Sequence, residues 1–268
     1  MAVDSLSLAD KVAIITGSGR ENGIGAAIAL SLAKAGARVV INYVSNATGP
    51  RAENVRTTIE AAAGKGSAIV VQADVSTQEG CKKIVGETLT KFGVNHIDII
   101  IDSVVNNAAY IPQGPVLQTS VEDIRKTYEV EIIGPILLLK EAYPHMPEYS
   151  RIINIGSVSS KMGFGPLPIY SSAKAAMDQL TFSLSREIGR EGKHITINTL
   201  APGPIETDNL PDVPEVQPLK DYLLAATRVE ERIGTVEDVA DAVLLLTSEK
   251  SRWITGQFIS VSGGINGG

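Results

Sequence analysis

The sequence contains few of the residues that build disulfide frameworks and metal sites. Its 268 residues include one cysteine, Cys81, and three histidines. A single cysteine excludes a disulfide within the chain and is typical of proteins from reducing compartments. The histidines, His96, His145 and His194, are far apart and form no zinc-binding motif. We therefore expect no metal ion in the functional site.

Positive charge and long apolar runs are also scarce. Lys and Arg number 24 against 30 Asp and Glu, so the formal net charge is −6, and no basic block occurs. This charge makes nucleic acid and anionic membrane surfaces poor partners. No apolar run approaches the roughly 18 residues of a membrane span, and the run at 132–139 is interrupted by Gly134 and Pro135. The N-terminus lacks a basic region followed by an apolar stretch, so we predict a cytoplasmic protein that does not bind membranes.

The chain alternates short apolar runs with longer amphipathic stretches and has no repeats or linkers. Runs rich in β-branched residues predict strands at 12–16, 38–42, 68–73, 97–105, 151–155, 196–200 and 257–261. Helical patterns cover 23–35, 52–63, 77–92, 121–143, 171–191 and 236–248. Capping-box spacing marks two helix starts, Ser76 with Glu79 and Thr235 with Asp238. Continuous apolar strands, each followed by a helix, predict a single α/β domain over residues 1–268, a Rossmann-type doubly wound fold with a seven-stranded parallel sheet and helices on both faces.

Glycine is abundant, at 25 residues, and clusters at the carboxyl end of the first predicted strand. The segment reads Thr16-Gly17-Ser18-Gly19-Arg20-Glu21-Asn22-Gly23-Ile24-Gly25. Glycines at this place allow a tight turn and let the backbone approach a pyrophosphate, and the following helix N-terminus offers N–H groups to the anion. A Gly-rich turn without a ligand is the simpler interpretation, but the order strand, loop, helix favours a dinucleotide site.

The end of the second predicted strand indicates which dinucleotide binds. Sites for NAD usually place an acid about 20 residues further on, where it accepts a hydrogen bond from the ribose 2′-hydroxyl. No acid occurs here between Glu21 and Glu53. Without that carboxylate a 2′-phosphate is not repelled, and basic or amide and hydroxyl side chains could bind it. The candidates are Arg20, Ser45, Asn46 and Arg51. The sequence favours NADP(H), with NAD(H) left as an alternative because a backbone contact could serve it.

A second candidate functional motif is the segment Tyr170-Ser171-Ser172-Ala173-Lys174, in which the tyrosine and the lysine share one helix face. A nearby cation favours phenolate and brings a tyrosine closer to use as an acid or base at neutral pH. Alone, the pair could be an ordinary surface pair. Ser157, however, lies at the carboxyl end of the strand predicted at 151–155, the edge at which this fold binds ligands. Together Ser157, Tyr170 and Lys174 predict an active site.

With these motifs in order, the sequence resembles the short-chain dehydrogenase/reductase family over essentially its whole length. The matching segments are Thr16-Gly17 with Gly23-Ile24-Gly25, Ala73-Asp74-Val75, Asn106-Asn107-Ala108, Ser157, Tyr170 with Lys174, Pro202-Gly203-Pro204-Ile205-Glu206-Thr207, Ile254-Thr255-Gly256-Gln257 and Gly263-Gly264. The strand end Asn42-Tyr43 is similar to that of fungal NADPH-dependent polyketide ketoreductases. The resemblance implies an NADP-dependent oxidoreductase that interconverts a ketone and a secondary alcohol by hydride transfer.

The resemblance also implies roles for the matched residues. Tyr170 would be the general acid in ketone reduction and the base in alcohol oxidation. Ser157 would hydrogen-bond the substrate oxygen, and Lys174 would bind the nicotinamide ribose and lower the pKa of Tyr170. The implied cofactor-binding residues are Gly17, Arg20, Gly23, Ile24, Gly25, Tyr43, Ser45, Asp74, Val75, Asn106, Ala108, Tyr170, Lys174, Pro202, Ile205 and Thr207. Of these, Asp74 would meet the adenine, Ile205 the carboxamide and Thr207 the phosphates, although residues 202–204 could also be a simple loop.

The sequence departs from the family pattern at four places. The Gly-rich loop has five residues between Gly17 and Gly23, where the family usually has three. The stretch 98–106 is about four residues longer than usual, and Ala109 replaces a glycine. The fourth departure is Glu131, which occupies the position of the family's fourth catalytic residue, an asparagine.

Two hypotheses for Glu131 stay open. In the family, the main-chain carbonyl at this position holds a water that leads protons to the active-site lysine. Pro135 lies four residues on and lacks the N–H that would bond the Glu131 carbonyl, so the carbonyl could still hold that water. Alternatively, the carboxylate disturbs Lys174 and alters the chemistry.

The substrate is the least determined feature. Residues 206–228 are expected to form a lid over it. An apolar pocket could be lined by Tyr110, Ile111, Met162, Phe164 and Leu167, which could equally be core or interface residues. By resemblance the substrate is a cyclic or polyketide-like carbonyl or the matching alcohol, with a 3-oxoacyl thioester or a sugar as alternatives. The family further implies a homotetramer or homodimer, joined partly through helices 121–143 and 171–191. A non-redox isomerase, cyclase or dehydratase, and a cofactor-binding regulatory protein, remain as other function classes.

Overall fold

The computed structural model describes residues 6–102, 112, 114–163, 165–208 and 217–266. Within them lie the strands β1 (Val12–Ile15), β2 (Arg38–Tyr43), β3 (Ala68–Gln72), β4 (Ile99–Asp102), β5 (Arg151–Ile155), β6 (Thr196–Pro202) and β7 (Phe258–Val261). They form one parallel sheet in the order β3-β2-β1-β4-β5-β6-β7. The residues of β1, β5 and β6 are buried throughout, as expected for strands covered on both faces. The predicted seven-stranded, doubly wound fold is confirmed.

Helices cover both faces of this sheet. They are α1 (Ile24–Lys34), α2 (Gly49–Ala63), α3 (Gln78–Phe92), α4 (Val121–Tyr128), α5 (Gly134–Ala142), α6 (Ser159–Met162), α7 (Pro168–Gly189), α8 (Gln217–Ala226) and α9 (Val236–Thr247). The predicted capping box of Thr235 and Asp238 begins α9. On one face α1 packs against α2 and α9, and on the other α3 packs against α5, so each face has its own apolar core. In the described part of the chain, no helix combines the length and apolar character needed to cross a bilayer.

The chain changes direction across the sheet at β1. The strands β2 and β3 extend from one side of β1, whereas β4 pairs with its other side. Ile15, near the end of β1, therefore pairs with Ile41 on one side and Ile101 on the other. Folds of this type bind ligands in the crevice outside the strand ends at such a switch point. The Gly-rich loop begins at this point, directly after β1.

The start of α3 differs from its prediction. The predicted capping box of Ser76 and Glu79 is wrong, because Thr77 caps the helix by accepting a hydrogen bond from the Gly80 N–H at 3.0 Å. Ser76 instead donates its hydroxyl and its N–H to the Asp74 carboxylate, at 2.7 and 2.9 Å. Ser76, which the spacing favoured as the N-cap, is thus hydrogen-bonded to the Asp74 carboxylate and does not cap the helix.

The helix predicted at 121–143 is two helices joined by a π-helical turn, Glu129–Ile133. In this turn the Gly134 N–H donates to the Glu129 carbonyl, five residues earlier. Pro135 follows and has no N–H to donate to an α-helical partner, which gives a physical reason for the break. Such turns often occur at functional sites, and this one contains Glu131.

Candidate active site

The predicted residues Ser157, Tyr170 and Lys174 meet at the carboxyl end of β5. Ser157 follows the strand, and Tyr170 and Lys174 lie one turn apart on α7. The Ser157 hydroxyl lies close enough to the Tyr170 phenol to lower its pKa, and it accepts the Ser159 N–H at 3.2 Å. Tyr170 is 5% exposed and Lys174 is 2% exposed. The three polar side chains therefore form one group that is sheltered from water.

The Lys174 ammonium is held from two sides. Its Nζ donates to the Ile155 carbonyl at 2.8 Å and lies 2.7 Å from Glu131 Oε2. Its distance to the centre of the Tyr170 ring is 5.6 Å. The Glu131 side chain therefore contacts the lysine directly.

The carboxyl group of Glu131 is fully buried. Its side chain is 0% exposed, and among the described residues neither Oε1 nor Oε2 accepts a hydrogen bond of regular geometry, so Oε2 meets the Lys174 ammonium as an ion pair. Burial raises the pKa of Glu131 above its usual value, and the Lys174 ammonium opposes this rise. A buried carboxylate is costly unless it is paired, so Lys174 is the partner that stabilises the charged form of Glu131.

Burial also raises the pKa of Tyr170, which is the opposite net direction to the one that the family resemblance implies. The Lys174 charge lowers this pKa as expected, and so does the Ser157 hydroxyl, whereas the Glu131 charge raises it further. Burial is the largest of these effects. The arrangement thus favours the phenol form, which can donate a proton to an oxygen placed beside it.

A cleft of about 240 Å³ lies beside the Gly-rich loop. It is lined by Gly17, Arg20, Tyr43, Val44, Ser45, Thr48, Asp74, Lys126 and Val130. Five of the predicted cofactor-binding residues are brought together there: Gly17, Arg20, Tyr43, Ser45 and Asp74. Sequence reasoning missed Thr48, whose hydroxyl lies 2.9 Å from that of Ser45, and Lys126, whose Nζ lies 4.0 Å from Asp74 Oδ2. Lys126 belongs to no recognisable sequence motif, and it lines the cleft because the fold places α4 beside the cleft.

The residues around the Gly-rich loop fit the phosphates of a dinucleotide. No side chain caps the N-terminus of α1 at Gly23, and the N–H groups of Ala26 and Ala27 donate to the Gly23 carbonyl, so the Ile24 and Gly25 N–H groups are the ones that can bind an anion at the end of the loop. Gly17 has a φ of +59°, a conformation that favours glycine. Arg20 adds a positive charge to the same cleft. Backbone donors and a cation are the groups that bind phosphate in proteins.

Two residues of the enlarged loop, Glu21 and Asn22, contact other elements. The Arg51 guanidinium of α2 lies 2.6 Å from Glu21 Oε2 and 3.0 Å from Asp208 Oδ2. Asn22 also donates to Asp208 at 3.2 Å, and the Arg51 guanidinium lowers the pKa of Asp208. Arg51, a predicted phosphate ligand, is therefore engaged by two carboxylates, and neither it nor Asn46 is among the residues that line the cleft.

Other predicted residues lie away from this cleft. Asn106 and Ala108 fall outside the described residues, as do Tyr110, Ile111 and Phe164 of the suggested substrate pocket. Val75 is buried and does not line the cleft, and Met162 and Leu167 are partly buried. Pro202 ends β6, and the Thr207 hydroxyl lies 3.5 Å from the Ile205 carbonyl. Ile205 lines a second cavity, of about 280 Å³, together with residues near β7.

A parallel sheet with a Gly-rich loop at its switch point, and with serine, tyrosine and lysine gathered beside it, is the arrangement of dinucleotide-dependent dehydrogenases and reductases. A family model described as "Enoyl-(Acyl carrier protein) reductase" matches residues 17–266. The chain is 34% identical to the short-chain dehydrogenase/reductase FrzI of Cladobotryum sp, over 97% of each chain. It is 33% identical to versicolorin reductase 1 of Aspergillus parasiticus, over 97% of this chain and 98% of that one. The chain belongs to the short-chain dehydrogenase/reductase family, whose oxidoreductases act on a CH–OH/C=O pair.

Solved structures agree over nearly the whole chain. A blue fluorescent protein from a metagenomic library, in complex with NADPH, has a TM-score of 0.86 and 31% identity, and the match covers 97% of this chain and 100% of that one. The angucycline C-6 ketoreductase LanV, with bound NADP, has a TM-score of 0.85 and 30% identity, over 97% and 96% of the two chains. The family named from sequence motifs is thereby confirmed.

Proposed function

We propose that the protein is an NADP(H)-dependent reductase that converts a ketone to a secondary alcohol, or catalyses the reverse reaction, with Tyr170 as the general acid or base. The observation that carries this proposal is the grouping of Ser157, Tyr170 and the buried Lys174 at the carboxyl end of β5, where the Ser157 hydroxyl and the Lys174 charge both lower the pKa of the Tyr170 phenol. The names of versicolorin reductase and of the angucycline ketoreductase support a cyclic or polyketide-like carbonyl as the substrate.

The residues of the chain supply the proton and the polar surroundings for this reaction. When bound, the cofactor supplies the hydride. The Ser157 hydroxyl hydrogen-bonds the substrate oxygen as negative charge develops on it. Tyr170 donates its phenolic proton to that oxygen in reduction and takes a proton back in oxidation. Lys174 and the cofactor residues of the Gly-rich loop orient the reactants.

NADP(H) is the cofactor that the cleft at the end of β2 suits best. Arg20 and Lys126 give this cleft two positive charges, and the hydroxyls of Ser45 and Thr48 can donate hydrogen bonds to a 2′-phosphate. Asp74 is the one carboxylate among the described residues that line it, and Lys126 lies 4.0 Å away. Solved relatives with NADPH or NADP support this cofactor.

Removing the charge of Arg20 is expected to weaken NADPH binding selectively. A hydrogen bond to a charged group contributes about 1.5 to 3 kcal/mol, so Arg20→Ala should raise the KM for NADPH at least about tenfold. The KM for NADH, which has no 2′-phosphate, should change little. Steady-state kinetics with both cofactors measures this, and Arg56→Ala is the control, because Arg56 pairs with Glu53 and Glu60 on α2. Equal effects on both cofactors would contradict a 2′-phosphate contact.

The reaction is tested with a panel of carbonyl compounds and with NADPH and NADH in separate arms. The panel contains cyclic ketones, polyketide-like ketones, a 3-oxoacyl thioester, a keto sugar and an enoyl thioester. Nicotinamide absorbance and product mass are followed together. We expect NADPH oxidation matched by an alcohol product from a cyclic or polyketide-like ketone. Reduction of the enoyl thioester alone, or NADPH binding without any product, would contradict the proposal, and the latter would indicate a regulatory protein.

A non-redox isomerase, cyclase or dehydratase is the second candidate. The contact of the Glu131 carboxylate with Lys174 favours it, because a buried carboxyl group can itself move a proton. In the same panel, this function would give a product whose formation consumes no NADPH.

The chain is further proposed to act as one domain, 1–268, with a lid at 206–228 and as a homotetramer or homodimer. The described part of the lid contains α8, and Asp208 anchors its beginning to Arg51. Phe182 on α7 is 61% exposed and Ile133, at the end of the π-helical turn, is 45% exposed. Apolar side chains exposed on these helices support their use in subunit contact. Light scattering in solution measures the number of subunits.

A further inference from the structure

The Lys174 ammonium has a closer charged neighbour than the tyrosine that it accompanies. Its Nζ lies 2.7 Å from Glu131 Oε2 and 5.6 Å from the centre of the Tyr170 ring. Both charged side chains are almost fully buried, so water screens their attraction only weakly. An ammonium that is paired with a carboxylate stabilises a nearby phenolate less than an unpaired one does.

The other carboxylate near Lys174 is engaged by different groups. Asp178 lies one turn further along α7, where it accepts the Ser160 hydroxyl at 2.7 Å and lies 3.8 Å from the Lys161 ammonium of α6. It interacts with Lys174 through charge alone. On the β5 side, the Lys174 ammonium donates a hydrogen bond to the Ile155 main-chain carbonyl, which carries no charge. Among the described residues, Glu131 of the π-helical turn is a carboxylate in direct contact with Lys174.

We propose that Glu131 is a positioning residue that acts through Lys174, because its carboxylate offsets the ammonium charge and keeps Tyr170 in the phenol form at neutral pH. This inference rests on the proposed function. At neutral pH Tyr170 then acts as a proton donor. Alcohol oxidation needs the phenolate, so its rate rises only at alkaline pH. The asparagine of the family at this position carries no charge and has no such effect. Glu131 sets the pH range of each direction and not the equilibrium between them.

Three substitutions separate charge from shape. Glu131→Gln keeps the size and removes the charge, Glu131→Asn introduces the family residue, and Glu131→Asp keeps the charge. In the first two, the pH at which alcohol oxidation with NADP⁺ reaches half its plateau should fall by about one unit. The kcat/KM values for oxidation and for ketone reduction at pH 7 should change by the same factor, because a substitution in the enzyme leaves the equilibrium between ketone and alcohol at fixed pH unchanged, so the shifted half-plateau pH is the diagnostic result. The Glu131→Asp profile should lie closest to the wild type.

A titration without substrate gives an independent reading. The ultraviolet absorbance of phenolate is followed against pH, and the same titration of a Tyr170→Phe variant is subtracted, so that only Tyr170 is reported. A lower midpoint in Glu131→Gln supports the inference. An unchanged midpoint in both Glu131→Gln and Glu131→Asn overturns it and leaves the main-chain carbonyl as the important group at 131. Should the Gln variant not fold, the Asn variant decides.

Failure of the proposed function has a different signature. A wild-type protein that reduces no carbonyl with NADPH contradicts the reductase proposal, whereas the Tyr170 titration still decides the action of Glu131. A normal reductase whose pH profile is identical in all three variants contradicts only the role of Glu131.

Discussion

Replacing Tyr170 with phenylalanine is expected to lower kcat/KM for carbonyl reduction about 10³-fold, a loss typical of removing a general acid. The variant loses the hydroxyl that lies beside Ser157 but keeps the ring, which is packed in a buried site. The Ser157 hydroxyl remains and can still bind the substrate oxygen, but it is a far weaker acid than a phenol. NADPH affinity, measured by nicotinamide fluorescence, should stay close to the wild-type value. The loss should therefore appear in kcat.

The matched control is Tyr128→Phe. The Tyr128 hydroxyl, on α4, lies 3.0 Å from Ser172 Oγ on α7, so this substitution removes a tyrosine hydroxyl beside the same helix but outside the catalytic group. Its activity should stay within about threefold of the wild type, since surface hydrogen bonds of this kind contribute little. A Tyr170→Phe variant that keeps a tenth of the wild-type turnover, with Tyr128→Phe equally active, would exclude Tyr170 as the proton donor.

The sheet and the three central site residues could be predicted because local patterns determine them. Strands buried on both faces show as continuous apolar runs, and Ser157 directly follows one of them. Tyr170 and Lys174 are one helical turn apart, so a helix alone brings them to the same face. The Gly-rich loop likewise lies in one continuous segment after β1.

The contacts of Glu131 and Arg51 could not be predicted in this way. Glu131 reaches Lys174 because a π-helical turn inserts one extra residue before α5, and the direction of a side chain in such a turn has no sequence periodicity. Arg51 carried the charge expected of a phosphate ligand, but Asp208, far away in the chain, binds its guanidinium. Both outcomes depend on which elements the complete fold places side by side.

The start of α3 gives the second large expected effect, through Gly80. A Cβ at this position would lie 1.9 Å from the Asp74 carbonyl oxygen and 2.9 Å from the Thr77 hydroxyl oxygen, which caps the helix. The nearest of these atoms belongs to the main chain, and the Asp74 carbonyl already accepts from the Thr77 N–H and hydroxyl. A methyl group therefore cannot be accommodated by a side-chain rotation. Either the cap or the end of β3 has to move.

Gly80→Ala should consequently destabilise the fold by about 3 kcal/mol, at the upper end of the cost of overpacking. For a chain of this size, that loss corresponds to a fall in Tm of roughly 5 °C, measured by thermal unfolding. NADPH binding should weaken as well, because the displaced Asp74 lines the cofactor cleft.

Gly86→Ala is the matched substitution within the same helix. Nothing lies within 4 Å of a Cβ at Gly86, which is exposed in the interior of α3. Alanine should stabilise the helix there by about 0.5 to 1 kcal/mol, because it loses less backbone entropy on folding than glycine. The two substitutions are thus expected to change the stability of the fold in opposite directions, although both lie on α3. If Gly80→Ala unfolded at or above the wild-type Tm, the close approach of Asp74 to the helix would be wrong, and with it the capping by Thr77 that brings this carbonyl beside the cofactor cleft.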